Sequence, residues 1–579
     1  MHDPRVLKER EAAAAAPCGS HPPMLAEDGA PTRNQAMLLP QTSSYDALVR
    51  DFQWQIPSPL NIGEAVSDAW AAIDPSRICL EHFSPDGRHL SMTYGALSAR
   101  SASLASGFCE LGLGRGDRIA ILLPQGFETV TAHVAIYKMG AIALPLALLF
   151  GEEALEYRLK AAGAAAIVTN AFGLSRLSAI LPALPELRHV IVTGDGASPE
   201  SLGFDQLVDR HPGPCPVVAT QPDDPALMIF TSGTTGPPKA ALHGHRVLAG
   251  HIPGFQMGHD LAPQPGDRIW TPSDWAWAGG LLNVLLPSLM LGIPVVSSPP
   301  QKFDAEMAFR ILSEMKVRNA FIPPTALRLL RSVRTPRDRY ALDLRTIASA
   351  GEALGRETFE WARDTLGVTV NELFGQTECN FVLGSSAALG VSRAGAIGRA
   401  VPGHRVAIVD AAGAEVPTGE IGQIAVRSPD PVMFLGYWND PEATAAKFAD
   451  GWLLTGDLGR MDSEGYVEFI GRDDDVITSS GYRIGPSEIE DCLCGHPAVR
   501  LAAVVGKPDR LRTEIVKAYV VPANGYAPGP GLADELRDWV KNRLSMHEYP
   551  REIAFVDDLP LTTSGKVIRR MLRQRAAAE

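Results

Sequence analysis

From Asn61 to about Asn380 the chain alternates short apolar, β-branched runs with longer amphipathic stretches. Arg118-Ile119-Ala120-Ile121-Leu122-Leu123 predicts a buried strand, Glu128 to Met139 a helix and Ala141-Ile142-Ala143-Leu144-Pro145-Leu146 a second strand. Glu153 to Ala162 then predicts another helix and Ala166-Ile167-Val168-Thr169 a third strand. Strand, helix, strand in this rhythm predicts parallel sheets flanked by helices, an α/β architecture. After Gly398 the texture changes to short strands punctuated by turns, such as Arg405 to Val409 and Gly422 to Arg427, which suit a distorted β-barrel or sheet subdomain. Beyond Gly471 a compact α+β unit is expected, with helices over Glu488 to Cys494 and Leu532 to Leu544 and strands over Ala502 to Val505 and Ile515 to Val521. Three consecutive aspartates, Asp473-Asp474-Asp475, cannot all be buried without strong repulsion, so a boundary is placed there. The first 40 residues carry polyalanine, prolines and mixed charges without periodicity, and read as a disordered tail rather than a signal or transit peptide. Met24 or Met37 as the true start is the alternative reading.

At 579 residues several cores are expected. The net charge of −13 offers no basic excess for nucleic acid or an anionic membrane surface. Seven cysteines without a CxxC pair or a His/Cys cluster point to free thiols in a reducing, cytoplasmic compartment. The longest apolar stretch, Gly279 to Val296, is interrupted by Asn283, Pro287 and Pro294 and reads as buried core, not a membrane span.

Chemistry concentrates in five strings. The strand Ala226 to Phe230 runs into Thr231-Ser232-Gly233-Thr234-Thr235-Gly236-Pro237-Pro238-Lys239. Glycines let backbone N–H groups approach phosphate oxygens, the hydroxyls add donors and Lys239 adds a cation. It is not the G-x-x-x-x-G-K-[ST] loop, and from composition alone a flexible Gly/Thr surface loop is the lesser alternative. In Asn371-Glu372-Leu373-Phe374-Gly375-Gln376-Thr377-Glu378, Glu378 is a hard oxygen ligand suited to magnesium, Thr377 a phosphate donor and Phe374 a flat face for a purine. Asp457 in Thr455-Gly456-Asp457 suits the two ribose hydroxyls, although Gly-Asp is also common in turns. Ser480-Gly481-Tyr482-Arg483-Ile484-Gly485-Pro486 runs into an ordinary helix start. Near the C-terminus, Leu561-Thr562-Thr563-Ser564-Gly565-Lys566 presents a lysine on a glycine turn.

Taken in order, these strings resemble those of the AMP-forming acyl-CoA synthetases (adenylate-forming ligases), over roughly Pro40 to Arg573. The resemblance implies a large N-terminal domain, residues 41–473, with two parallel-rich α/β sheets and a distorted β-barrel. A small mobile C-terminal α+β domain, 474–579, would carry the catalytic lysine. It implies a carboxylate, ATP and coenzyme A as substrates, with Mg2+: acyl-adenylate forms first, then the thiol displaces AMP. Lys566, Thr377 and Glu378 would be catalytic, Glu378 also the metal ligand. Thr231 to Gly236 and Lys239 would hold phosphates, and Gly351, Glu352, Ala353, Glu372 to Gln376, Asp457 and Arg472 the nucleotide. Ser480, Gly481, Tyr482 and Arg483 would serve the phosphate and the pantetheine arm, with Asp474 as hinge. The acetyl-specific branch has tryptophan where this chain has Gly375, and Trp277 falls where the medium-chain branch sets a tryptophan against the acyl chain. A short- to medium-chain or branched aliphatic acid is therefore expected, with an aryl acid second. Loading of a carrier protein is the alternative activity, a non-catalytic ATP-binding regulator a third class, and a homo-oligomer is left open.

Overall fold

The computed structural model describes residues 34, 37–40, 42, 44–194, 201–211, 213, 217–231, 237–298, 303–473, 475–479, 482–544, 548–562 and 566–579. Strands Arg118–Leu122, Ile142–Pro145 and Ala166–Thr169 and helices Phe127–Lys138 and Glu152–Ala162 form where the periodicity puts them. The second of these helices stops at Gly163, whose left-handed backbone (φ 61°) returns its N–H to the carbonyl of Lys160 at 3.0 Å.

Among the described residues the strands make four sheets. An eight-stranded sheet is parallel through Pro225–Thr231, Ile142–Pro145, Arg118–Leu122, Ala166–Thr169 and His189–Val192. It ends in antiparallel edge strands Lys239–Gly244 and Gly436–Tyr437. A nine-stranded sheet is parallel through its middle and closes with the antiparallel pair Val370–Gln376 and Cys379–Gly384. The stretch 406–472 forms a five-stranded antiparallel sheet, and 477–555 a second five-stranded sheet of the α+β kind.

The largest core joins Ile119, Ile121, Leu227 and Ile229 of one large sheet to Leu80, Ile269, Val295 and Ala348 of the other. Between them lies helix Val247–Gly258, buried on every side. Its glycines recur every fourth residue because neighbours press on that stripe. A Cβ at Gly250, Gly254 or Gly258 would stand 2.6 Å from Val432 N, 2.6 Å from Phe381 Cβ or 2.7 Å from Leu373 Cδ1. The helix thus seats the 370–384 hairpin, which carries the second string of candidate residues.

One expectation changes. The end of the expected 1–40 tail packs: Met37 and Leu39 are 3% and 6% exposed, and the Leu39 N–H donates to Gln256 Oε1 at 2.8 Å. Met37-Leu38-Leu39 is an apolar run without period, and it finds an apolar seat that no local pattern announces. Of the three aspartates, Asp473 is exposed while the Asp475 side chain is mostly covered and pairs with Arg569 (3.5 Å) and Arg573. Asp474, the expected hinge, lies outside the described residues.

Candidate active site

The site is built where the antiparallel edges of both large sheets meet the third sheet. Gln376 and Cys379 face each other at the mouth of a tight hairpin, so Thr377 and Glu378 sit at its turn. Glu378 is 7% exposed, and the hydroxyl of Tyr437 donates to its Oε1 at 2.5 Å. Burial and the Glu378 charge push the Tyr437 hydroxyl far above the usual tyrosine value, so it stays a donor. Lys239 opens its strand beside Thr231, whose Oγ1 donates to the Lys239 carbonyl at 3.3 Å, and its Nζ stands 5.3 Å from the centre of the Tyr437 ring. Ser232, Gly233, Thr234, Thr235 and Gly236 lie outside the described residues, as do Ser480 and Gly481. Tyr482 and Arg483 are placed by their strand alone, Tyr482–Ile484.

On the nucleoside side, Asp457 is 5% exposed and receives Gln376 Nε2 on Oδ2 at 2.5 Å. Arg472, opposite it in the strand register, has Nη1 3.6 Å from Oδ1. Burial holds the Asp457 carboxyl above the usual range, against the pull of Arg472, Gln376, Lys566 and Lys447. Glu352 and Glu372 face inward. Thr325 Oγ1 donates to Glu352 Oε2 at 2.7 Å with Arg328 beside it, and the Leu354 N–H donates to Glu372 Oε1 at 3.1 Å. Burial lifts the Glu372 carboxyl to about 7. These two carboxylates shape the 351–354 turn, while Arg328 also donates to the Ala353 carbonyl at 2.8 Å.

Lys566 is exposed, its N–H held by Thr562 Oγ1 at 3.0 Å. Its side chain stands over Gly351 (φ 102°), where a Cβ would come within 3.3 Å of Lys566 Cε and 3.7 Å of Nζ. The lysine and Asp457, far apart in sequence, are electrostatic neighbours. This docking is held by Asp491 on helix Pro486–Cys494, whose Oδ2 accepts the Arg356 N–H at 2.9 Å, capping the helix that starts there. Gly355 (φ 81°) makes room: a Cβ would lie 1.9 Å from Asp491 Oδ1. Loss of a capping carboxylate costs about 1 kcal/mol. Asp491→Ala is therefore expected to shift the docked-to-undocked ratio about fivefold. Fluorescence transfer between labels on the two sides would read it, and an unchanged distribution would make the contact passive.

Around the expected acyl site, the Trp277 ring meets Phe150 edge to face at 5.7 Å, and its Nε1 is buried with no partner among the described residues. Gly375 sits at an irregularity in the hairpin and does not face open space. A Cβ there would lie 2.7 Å from Asn380 Cα and Oδ1 and 2.8 Å from the Cys379 carbonyl oxygen. A tryptophan at 375 would have to displace that backbone before it could cap anything. Beyond it the buried pair Asn380 and Asn283 is joined by an Nδ2 to Oδ1 bond of 2.5 Å.

Sequence reasoning missed Tyr437, Arg328, Asp491 and the Asn283–Asn380 pair. Only Tyr437 has a local sign, in the Phe434-Leu435-Gly436-Tyr437-Trp438 run before the Asn439-Asp440-Pro441 turn.

The family model described as AMP-binding enzyme matches residues 67–438, and the AMP-binding enzyme C-terminal domain matches 488–566. Human acyl-coenzyme A synthetase ACSM5, mitochondrial, is 33% identical over 535 residues, covering 90% of this chain and 91% of the relative. The acetyl-coenzyme A synthetase of Bacillus subtilis (strain 168) is 34% identical over 468 residues, with 79% and 80% covered. The crystal structure of the anthranilate CoA ligase AuaEII with anthranoyl-AMP superimposes with a TM-score of 0.83 at 26% identity, over 90% of this chain and 98% of that one. The chain belongs to the AMP-binding enzyme family, as an AMP-forming acyl-CoA synthetase.

Proposed function

We propose that this ATP-dependent acid:CoA ligase activates a short- to medium-chain or branched aliphatic acid, with Mg2+ accompanying ATP, and that the residues above divide the work. The carrying observation is Lys566 standing over Gly351 in the field of Asp457, which gathers the C-terminal lysine and the nucleoside-side carboxylate at one place. Lys566 meets the attacking carboxylate and the charge that builds on the bridging oxygen. Lys239 meets the outgoing phosphates, and Asp457 accepts from the ribose. Thr377, at the hairpin turn, donates to the α-phosphate.

For the metal, Glu378 is one buried carboxylate beside the start of the phosphate-side strand, and the described residues hold no cluster of three or more metal ligands. That fits Mg2+, which is commonly held by one or two carboxylates plus substrate phosphates rather than an all-protein cage. When bound, it would neutralise charge on the polyphosphate.

The preference for longer acids rests on the Phe150 and Trp277 rings, with relatives named for acyl- and acetyl-coenzyme A synthesis at about a third identity. The reading of a reducing, cytoplasmic compartment rests on the cysteines; among the described residues no helix is long and apolar enough to cross a membrane. Each methylene buried adds about 0.8 kcal/mol, so butyrate should exceed acetate in kcat/KM about fifteenfold. Pyrophosphate release across acids of two to twelve carbons, with benzoate as the aryl arm, checks this. Trp277→Ala should flatten the gain, and a wild-type optimum at acetate would overturn the substrate class. Free acyl-CoA as product separates this activity from carrier-protein loading.

A further inference from the structure

Strand Gly436–Tyr437 lies in sequence between two strands of the third sheet, yet it is stitched to both phosphate-side charges. It pairs with the strand that Lys239 opens (Gly436 with Leu242, Tyr437 with Ala241), flanked by Leu435 N to Leu242 O at 2.6 Å and Trp438 N to Ala240 O at 2.8 Å. One step earlier the Phe434 N–H donates to the Glu378 carbonyl at 2.9 Å. The Tyr437 ring is braced edge to face by Phe434 at 5.0 Å, and its N–H is held by Thr444 Oγ1 at 2.8 Å. So fixed, one side chain offers its face to the Lys239 ammonium and its hydroxyl to the Glu378 carboxylate.

We propose that Tyr437 is a positioning residue for ATP activation, orienting Glu378 through its hydroxyl and Lys239 through its ring. The inference rests on Glu378 being the metal-side carboxylate. A carboxylate that must take a metal without an all-protein cage gains from a donor that fixes its rotamer and leaves its other oxygen for the ion. An ammonium over an aromatic face is attracted without being neutralised, so Lys239 keeps its charge for phosphate. Both charges are thereby held at the phosphate side by different parts of one ring.

The test titrates Mn2+ into full-length protein with ATP and no acid, followed by electron paramagnetic resonance, so that no turnover is read. Metal-free ATP affinity is measured separately in EDTA. Outer-shell partners of metal ligands are worth roughly 10- to 100-fold in metal affinity. Tyr437→Phe is expected to weaken Mn2+ binding in the ATP complex at least tenfold while leaving metal-free ATP affinity within twofold. Tyr437→Leu, which also removes the aromatic face, should weaken both. Glu378→Gln is the reference, and thermal melting verifies that each variant is folded. A Tyr437→Phe protein that binds Mn2+ normally, while Glu378→Gln does not, overturns the positioning role. Equal loss of metal and metal-free ATP binding in Tyr437→Phe also overturns it, because a purely structural residue would move the two together. If Glu378→Gln binds Mn2+ normally, the metal-side reading itself fails and this inference falls with it. Should Tyr437→Phe melt early, Tyr437→Leu still tests the metal arm, and normal Mn2+ binding in it overturns the proposal.

Discussion

Lys566→Ala is expected to slow acyl-adenylate formation by a factor of about 10² to 10³, the loss of one preorganised donor worth about 3 kcal/mol. The lysine stands over Gly351 near Asp457, and among the described residues no ion pair fixes it there, so its ammonium is available for charge that develops only as the adenylate forms. Thioester formation from supplied acyl-adenylate should largely survive if the C-terminal domain presents a different face in that step, as the family resemblance implies. Single-turnover assays of the two half-reactions read this directly. An equal loss in both would assign Lys566 to general nucleotide binding instead.

Asp457→Ala gives the opposite signature. Two hydrogen bonds from ribose hydroxyls to a carboxylate amount to about 3 kcal/mol, so kcat/KM for ATP should fall about 10²-fold. The AMP moiety is present in both half-reactions, and both should suffer. The same substitution removes one of the two acceptors of Gln376 Nε2, which donates to Asp457 at 2.5 Å and to the Thr455 carbonyl at 2.8 Å. Asp457→Asn keeps the shape and should recover part of the loss. An Asp457→Ala enzyme with a normal KM for ATP would place the ribose elsewhere.

What the chain announced by itself is mostly local. Alternation of apolar runs with helical periodicity carried the α/β class, since strand and helix patterns are properties of neighbouring residues. Lys239, Glu378, Asp457 and Lys566 were legible through the resemblance of their strings to those of the family, since each string taken alone also suits an ordinary turn or surface loop. The inward turn of Glu372, the capping of Arg356 by Asp491, the Tyr437 bond to Glu378 and the crowded side of Gly375 were not legible. Tyr437 and Glu378 are 59 positions apart, Gln376 and Asp457 are 81, and Arg356 and Asp491 are 135. No period or spacing encodes such pairs. They are decided when helix Val247–Gly258 seats the hairpin against its glycine stripe and edge strand Gly436–Tyr437 closes on the sheet. Close packing then fixes which buried polar groups must satisfy one another, and that choice belongs to the tertiary structure alone.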